Sequence, residues 1–277
     1  MDSAIIQALD RIPMLPDHIQ QLFTLLNDPE GDLRDVSELV CRDPSLAAQS
    51  LRVCNSALFS LPVEITSIHQ AVVLLGTEMV QGIALASYFQ SSVLRRRGLP
   101  GGWMDRAAEH ALTTAYLCRW FLQALGDHLI GATAFTAGLI HDIGKLAFCD
   151  LGHDVEAEVL ARVSDGHDWC VAEQEIIGTT HAEVGSLVCE RWGLPEPLAQ
   201  AVRFHHAPLE SVAEPLACVV HITDRLAHLA RNDEAEEALL ATINPSAWQS
   251  LGLDDDEMLA LAADLLKTLA DASLPAA

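Results

Sequence analysis

Apolar residues recur at helical spacing along most of the chain. The first clear stripe comprises Ile19, Leu22, Phe23 and Leu26, and it ends near Asn27. Similar stripes predict helices over 32–41, 44–54, 67–75, from 77 onward, over 103–125, around 235–243 and over 255–269. No segment alternates apolar and polar residues in the way that a half-buried strand does. We therefore predict an all-α, multi-helix fold.

Helix-capping residues mark where several of these helices begin and end. Asp43 before Pro44 predicts an N-cap followed by a proline in the first turn of the next helix. Gly76 is expected to end one helix, and Thr77 to begin another. Thr180 and Glu183 have the spacing of a capping box, which would fix the start of a helix at residue 181.

The composition is rich in apolar and acidic residues. Of the 277 residues, 50% are hydrophobic, which supplies a sizeable core. There are 39 acidic and 16 basic residues, and the formal net charge is −23. This charge disfavours nonspecific binding to nucleic acid or to an anionic membrane. We expect neither as a partner, whereas a metal cluster or a basic protein would be compatible.

The cysteine pattern and the absence of targeting signals indicate the compartment. Seven cysteines are scattered without a Cys-x-x-Cys pair, which favours a reducing environment. The first ten residues lack the basic and apolar regions of a signal peptide. No charge-free apolar stretch approaches the roughly 20 residues needed to span a bilayer. We therefore expect a cytoplasmic location.

The strongest chemical signal is the pair His141-Asp142, followed by Lys145. An apolar stripe from Phe135 to Leu146 predicts one buried helix here, with Lys145 on the same face as His141. An ionised Asp in such a place needs a cation or a metal ion, because burying an unpaired charge costs several kcal/mol. Imidazole and carboxylate are both common metal ligands. The alternative is a helix end with a capping Asp and a surface Lys.

Further ligand-type residues occur on separate predicted helices or at helix ends. They are His110, His181, His205, His206 and Asp224. Alternatives remain for two of them: His110 could be a hydrogen-bonded core residue, and Asp224 could pair with His221 or His228.

Several spaced motifs resemble one known family. They include Arg42-Asp43-Pro44-Ser45-Leu46, the segment from Arg52 through Asn55 to Phe59, and Ala71 to Gly76. Together they look like the HDOD domain, a bacterial relative of the HD metal-dependent phosphohydrolases, over roughly residues 12–230. The resemblance implies an N-terminal helical subdomain (1–98) packed on an HD-like helical subdomain (99–277). The polar, glycine-rich segment 94–102 would connect them.

The resemblance also implies roles for the candidate residues. In HD proteins, residues at the positions of His110, His141, Asp142 and Asp224 form the minimal set of metal ligands. His181 with His205 or His206 would complete a second position, with Asp142 bridging the two. The implied cofactor is a divalent metal, one or two ions of Fe, Mn, Zn or Ni. In an active enzyme, Asp142 and Lys145 would be catalytic, with Lys145 near a phosphate.

Two functions follow from this resemblance. HDOD proteins look like output or scaffold modules of bacterial signal transduction, which implies signalling proteins as partners, with Asn55 and Phe59 as candidate contact residues. Their metal ligands are often degraded, yet this chain has the whole set. The alternative is therefore a metal-dependent phosphohydrolase or phosphodiesterase acting on a nucleotide or another phosphate-containing small molecule. Ala207-Pro208-Leu209-Glu210 follows the double histidine, so the Gly-Tyr-Pro signature of cyclic di-GMP phosphodiesterases is absent.

Overall fold

Helices make up most of the described part of the chain. The computed structural model describes residues 3–26, 28, 30–55, 63–95, 103–126, 131–211, 214–231 and 243–271, and within these residues there is no strand. The helices are α1 (Ser3–Arg11), α2 (Asp17–Leu26), α3 (Leu33–Arg42), α4 (Pro44–Cys54), α5 (Ile68–Arg95), α6 (Trp103–Ala124), α7 (Gly131–Ile140), α8 (Lys145–Phe148), α9 (His153–Ser164), α10 (Trp169–Ile176), α11 (His181–Arg191), α12 (Glu196–Phe204), a 3₁₀ turn (Pro208–Glu210), α13 (Glu214–Arg231), α14 (Pro245–Ser250) and α15 (Asp255–Asp271). The prediction of an all-α fold is confirmed.

The predicted caps explain where key helices begin and bend. Asp43 Oδ1 accepts hydrogen bonds from the backbone N–H groups of residues 45 and 46, at 2.9 and 3.1 Å, and Pro44 opens α4. Thr180 and Glu183 form the predicted capping box of α11. Gly76, with φ of 74°, bends α5 by 106°, because glycine adopts this backbone conformation without a steric cost.

Helix α7 lies in the middle of the core. It contacts α5, α6, α12 and α13. Its buried residues include Ala134, Phe135, Thr136, Leu139 and Ile140, so it is apolar on every side, as expected for a helix surrounded by others. The C-terminal end of α7, where the His-Asp pair follows, is therefore held in place by four neighbouring helices.

The N-terminal segment packs against helices from both halves of the chain. Tyr88 Oη and Trp192 Nε1 both donate to the carbonyl oxygen of Pro13, at 3.0 and 3.2 Å. Arg191 donates to the carbonyl oxygen of Leu9 at 2.6 Å, and α1 contacts α8. One cluster of buried apolar side chains extends through both halves. The division into subdomains at residue 98 stays a prediction.

Some predicted features lie outside the described residues. These are the stretch from Ser56 to Phe59, most of the connecting segment 94–102, and the predicted helix at 235–243 except for Ile243. Within the described part of the chain, no single helix is long and apolar enough to cross a membrane. Only the two arms of α5, Ile68–Thr77 and Met79–Tyr88, reach that length and apolarity when taken together across their 106° bend.

Candidate metal centre

The His-Asp pair lies in a tight turn rather than inside a helix. Helix α7 ends at Ile140, residues 141–144 form the turn, and α8 begins at Lys145. The prediction of one helix through Leu146, with Lys145 on the face of His141, was therefore wrong. Gly144 weakens a continuous helix here, and it lets α11 approach so closely that a Cβ atom would overlap the carbonyl oxygen of His181. Only glycine allows this contact.

The structure brings all of the predicted ligand residues together. His110 comes from α6, His141 and Asp142 from the turn, His181 from the start of α11, His205 and His206 from the end of α12, and Asp224 from α13. Except for the half-buried His206, each of these residues is buried. Burying this many titratable groups is costly unless they satisfy one another or a bound ion.

The first group of ligand atoms surrounds His141. The Nδ1 of His141 lies 2.7 Å from the carbonyl oxygen of Gly138, which can only accept, so Nδ1 carries the proton. The Nε2 atom of the neutral ring is then a bare acceptor. It lies 3.5 Å from both Asp142 Oδ2 and Asp224 Oδ1, and it has no hydrogen-bond partner among the described residues. Asp224 Oδ1 also lies 2.9 Å from His110 Nε2. An acceptor facing two carboxylates needs a cation.

The second group of ligand atoms surrounds His181, and it too contains nitrogen acceptors that face one another. His205 Nδ1 donates to the carbonyl oxygen of Val202, and His181 Nδ1 donates to Glu173 Oε2, each at 2.7 Å. In the neutral rings both Nε2 atoms are therefore acceptors, yet they lie 3.2 Å apart. His206 Nε2 is 3.0 Å from His181 Nε2. Two facing acceptors repel each other unless a cation or a proton lies between them.

Asp142 faces both groups. Its Oδ2 atom is directed at His141, and its Oδ1 lies 3.2 Å from His181 Nε2. Lys145 Nζ lies 2.6 Å from Oδ2 and 5.1 Å from the centre of the Trp169 ring. Burial alone would raise the pKa of Asp142, but Lys145 and the surrounding histidines hold it well below its usual range. Asp142 is therefore an ionised carboxylate oriented like a bridging ligand.

The histidines differ in their charge states. Burial, and then the neighbouring imidazoles, hold the pKa values of His205 and His206 well below the ordinary value, so both rings are neutral at pH 7. Burial also acts to lower the pKa of His141, but Asp142 and Asp224 outweigh it and the net shift is upward. Neutral imidazole is the form that binds metal.

Asp224 does not pair with His221, which was one of the alternatives. His221 Nδ1 donates to the carbonyl oxygen of His205, and its Nε2 accepts from the backbone N–H of Asn244. His228 does reach Asp224 Oδ1, at 3.5 Å, and its ring lies against His110 with the centres 4.4 Å apart. His228 is thus part of the surroundings of the cluster.

Glu173 on α10 is a buried site residue that the sequence analysis missed. Its Oε2 accepts from both the backbone N–H and Nδ1 of His181, at 2.8 and 2.7 Å, and its Oε1 accepts from Trp169 Nε1 at 2.8 Å. A carboxylate that binds the outer nitrogen of a metal-ligating histidine fixes its tautomer and orientation. The available signal was a Glu on the apolar face of a short helix just before the capping box.

Comparison with known proteins identifies the family. The family model of the HDOD domain matches residues 12–208, which is most of the chain. The chain belongs to the HDOD domain family. A protein of Treponema pallidum (strain Nichols) is 26% identical over 213 residues, which cover 74% of this HDOD chain. The match covers only 39% of that relative, so the chain spans well under half of the relative's length.

Solved structures share this HDOD fold. An HDOD domain protein of Geobacter sulfurreducens superposes with a TM-score of 0.78 at 23% identity, over 96% of this chain and 92% of that one. A candidate phosphohydrolase of Shewanella amazonensis SB2B superposes with a TM-score of 0.74 at 28% identity, over 96% and 94% of the two chains. A candidate signal transduction protein of Marinobacter aquaeolei VT8, at 22% identity, gives 0.67 over 95% and 62%.

Proposed function

We propose that this chain is a divalent-metal-binding HDOD module of bacterial signal transduction. One observation carries the metal-binding proposal: the three bare Nε2 acceptors of His141, His181 and His205 point at carboxylates or at one another. A metal ion takes lone pairs from imidazole nitrogens and carboxylate oxygens alike, so it would satisfy every one of these atoms. The signalling role is supported by the membership of the HDOD family.

The residues present fit two neighbouring metal positions. His110, His141, Asp142 and Asp224 would hold one ion, and Asp142, His181, His205 and His206 would hold the other. Mixed imidazole and carboxylate ligands suit Zn, Fe, Mn or Ni. The carboxylate of Asp142 has one oxygen towards each position, which supports its role as the shared ligand.

Metal titration of the chelator-treated protein tests this proposal. We expect tight binding of one or two equivalents of Zn²⁺ or Mn²⁺, measured by calorimetry and by elemental analysis after gel filtration. Asp142→Asn keeps the shape of the side chain but removes its charge, and it should abolish binding at one position or both. The control is Asp165→Asn, which alters an exposed carboxylate after α9 and should bind as the parent does. Equal binding by the Asp142 variant would contradict the proposal.

A second function, hydrolysis of a phosphate ester, is favoured by cationic side chains at the more accessible side of the cluster. Lys145 and Arg225 are partly exposed, with 17% and 25% of their side-chain surface accessible. Arg225 Nη2 lies 3.4 Å from His206 Nδ1, and its Nε lies 3.9 Å from Asp224 Oδ2. The candidate phosphohydrolase at 28% identity supports the same function.

In this second function the chain itself would bind and orient the phosphate. Divalent metal, when bound, supplies Lewis-acid activation for phosphate-ester hydrolysis. Lys145 keeps Asp142 ionised and would offer a positive charge to the phosphate oxygens. Arg225, on α13 next to Asp224, would offer a second positive charge. Positive charge held in a partly buried site stabilises developing negative charge far better than it would in water.

Turnover assays with metal-loaded protein separate the two functions. An enzyme should hydrolyse at least one member of a panel of phosphate esters and cyclic nucleotides. Lys145→Met, which keeps the aliphatic stem, should then reduce kcat by about 10²–10³-fold while metal is retained. Lys267→Met, at an exposed position on α15, is the matched control. If the metal-loaded protein hydrolyses no member of the panel, the hydrolase function is refuted and the signalling module alone remains.

A further inference from the structure

One cysteine faces the second metal position. Cys170 lies in the first turn of α10 and is half-buried. Its Sγ and one ligand nitrogen each of His181 and His206 all lie within 4.8 Å of one another. The seven cysteines are scattered along the sequence, and the ligand set that the resemblance to HD proteins implies contains no sulfur.

The position of this thiol is fixed by the same helix that orients His181. Trp169 donates to Glu173, and Glu173 accepts two hydrogen bonds from His181, so the fifth residue of α10 is tied to the start of α11. Cys170 lies three residues before Glu173, and therefore on a similar face of the helix. The hydrogen bonds between Glu173 and His181 thus hold the face of α10 that carries Cys170 next to His181.

The Cys170 thiol lacks the kind of hydrogen bond that three other cysteines make. Cys118 contacts the hydroxyl of Thr223, Cys149 donates to the carbonyl oxygen of Lys145, and Cys218 contacts the hydroxyl of Ser250. In the described part of the chain, Cys170 makes no hydrogen bond. A half-buried thiol beside two imidazoles therefore has its sulfur available as a ligand.

We propose that Cys170 is a thiolate ligand of the second metal position, together with His181 and His206. This inference rests on the proposed metal-binding function and specifies its second position. When the ion binds, the S–H bond breaks, the proton leaves to solvent, and the sulfur–metal bond forms. A thiolate makes the position softer, so it should favour zinc or ferrous iron over manganese.

Cobalt(II) reports directly on sulfur ligation, because thiolate–cobalt bonds absorb in the near ultraviolet whereas histidine and carboxylate ligands do not. The full chain is freed of metal, loaded with Co²⁺, and compared with Cys170→Ser and with Cys149→Ser. We expect the charge-transfer band in the parent and in the Cys149 variant, and its loss in the Cys170 variant. Zinc-over-manganese selectivity, measured by competition, should fall at least about tenfold in Cys170→Ser.

The outcomes distinguish this inference from the proposal on which it rests. Cobalt that binds without the band in the parent, or a band that persists in Cys170→Ser, would overturn the role of Cys170 and leave metal binding intact. Failure of the parent to bind cobalt or zinc at all would overturn both. X-ray absorption of the zinc-loaded parent needs no variant, and it should show a sulfur neighbour at about 2.3 Å. A shell of nitrogen and oxygen alone would refute the inference.

Discussion

Glu173→Gln is the substitution that tests most sharply how the second group of ligands is oriented. The carboxylate of Glu173 is only 1% exposed and accepts three hydrogen bonds, two from His181 and one from Trp169. All three partners are donors. An amide has one oxygen and one NH₂ group, so the variant must place a donor against a donor on one side or the other.

The expected size of the effect follows from this conflict. If the amide oxygen faces His181, the variant loses the bond from Trp169 and the negative charge that orients the imidazole. If the NH₂ group faces His181, two bonds are lost instead. Removing such an outer partner of a metal-bound histidine typically reduces metal affinity 10–100-fold, or about 1.4–2.7 kcal/mol. We expect a loss in that range at the second position.

Competition titration against a chelator of known affinity measures this change. Glu175→Gln is the matched control, because Glu175 lies on the same helix but is half-exposed and pairs with Arg162. The control should bind metal as the parent does. A Glu173→Gln protein that folds normally and binds metal within twofold of the parent would refute the role that we assign to Glu173.

Three further predictions concern stability. Gly144→Ala should lower the free energy of unfolding by about 3 kcal/mol or more in a denaturant titration, because the added Cβ overlaps backbone at the start of α11; an unchanged midpoint would contradict the close approach. The metal-free protein should lose stability as the pH falls below about 6.5, because the unfolded chain then takes up protons that folded His205, His206, His221 and His228 refuse. His141, with its raised pKa, is protonated in both states in this range and adds no slope, so each of the other four histidines should contribute up to about 1.4 kcal/mol per pH unit. Stability that rises on acidification would show the sign to be wrong. Asn55→Ala should cost about 1–2 kcal/mol and speed hydrogen exchange at residue 65, because the amide of Asn55 makes two bonds to that residue's backbone; normal exchange there would favour a role in partner contact alone.

The residues of the candidate site could be found from sequence because each one breaks a local pattern. His141-Asp142 follows an apolar run, His181 comes directly after the N-cap of a capping box, and Asp224 interrupts an apolar helix. Local patterns of this kind survive folding, since caps and apolar faces are decided within one or two turns. The convergence of the residues came from the family resemblance, because spacing along the chain says nothing about distance between helices.

The features that were missed depend on contacts between distant segments. The apolar stripe continues past His141, so local periodicity favoured one helix, whereas the structure has a turn at residues 141–144, and Gly144 closely approaches the start of α11. Glu173 and Cys170 looked like ordinary residues of a short helix, and only the fold brings them next to His181 at the start of α11. For Asn55, the two hydrogen bonds to the backbone of Ile65 give the side chain a structural role, and its role as a contact residue stays a prediction.

Anomalous X-ray scattering from crystals of the metal-loaded protein tests the central claim most directly. Data collected at the absorption edge of zinc locate the ion without assumptions about its ligands. We predict a peak at one or both positions, about 2.0–2.1 Å from the Nε2 atoms of His141 or of His181 and His205. A fully loaded protein with its anomalous peaks elsewhere, or none within reach of Asp142, would contradict that claim.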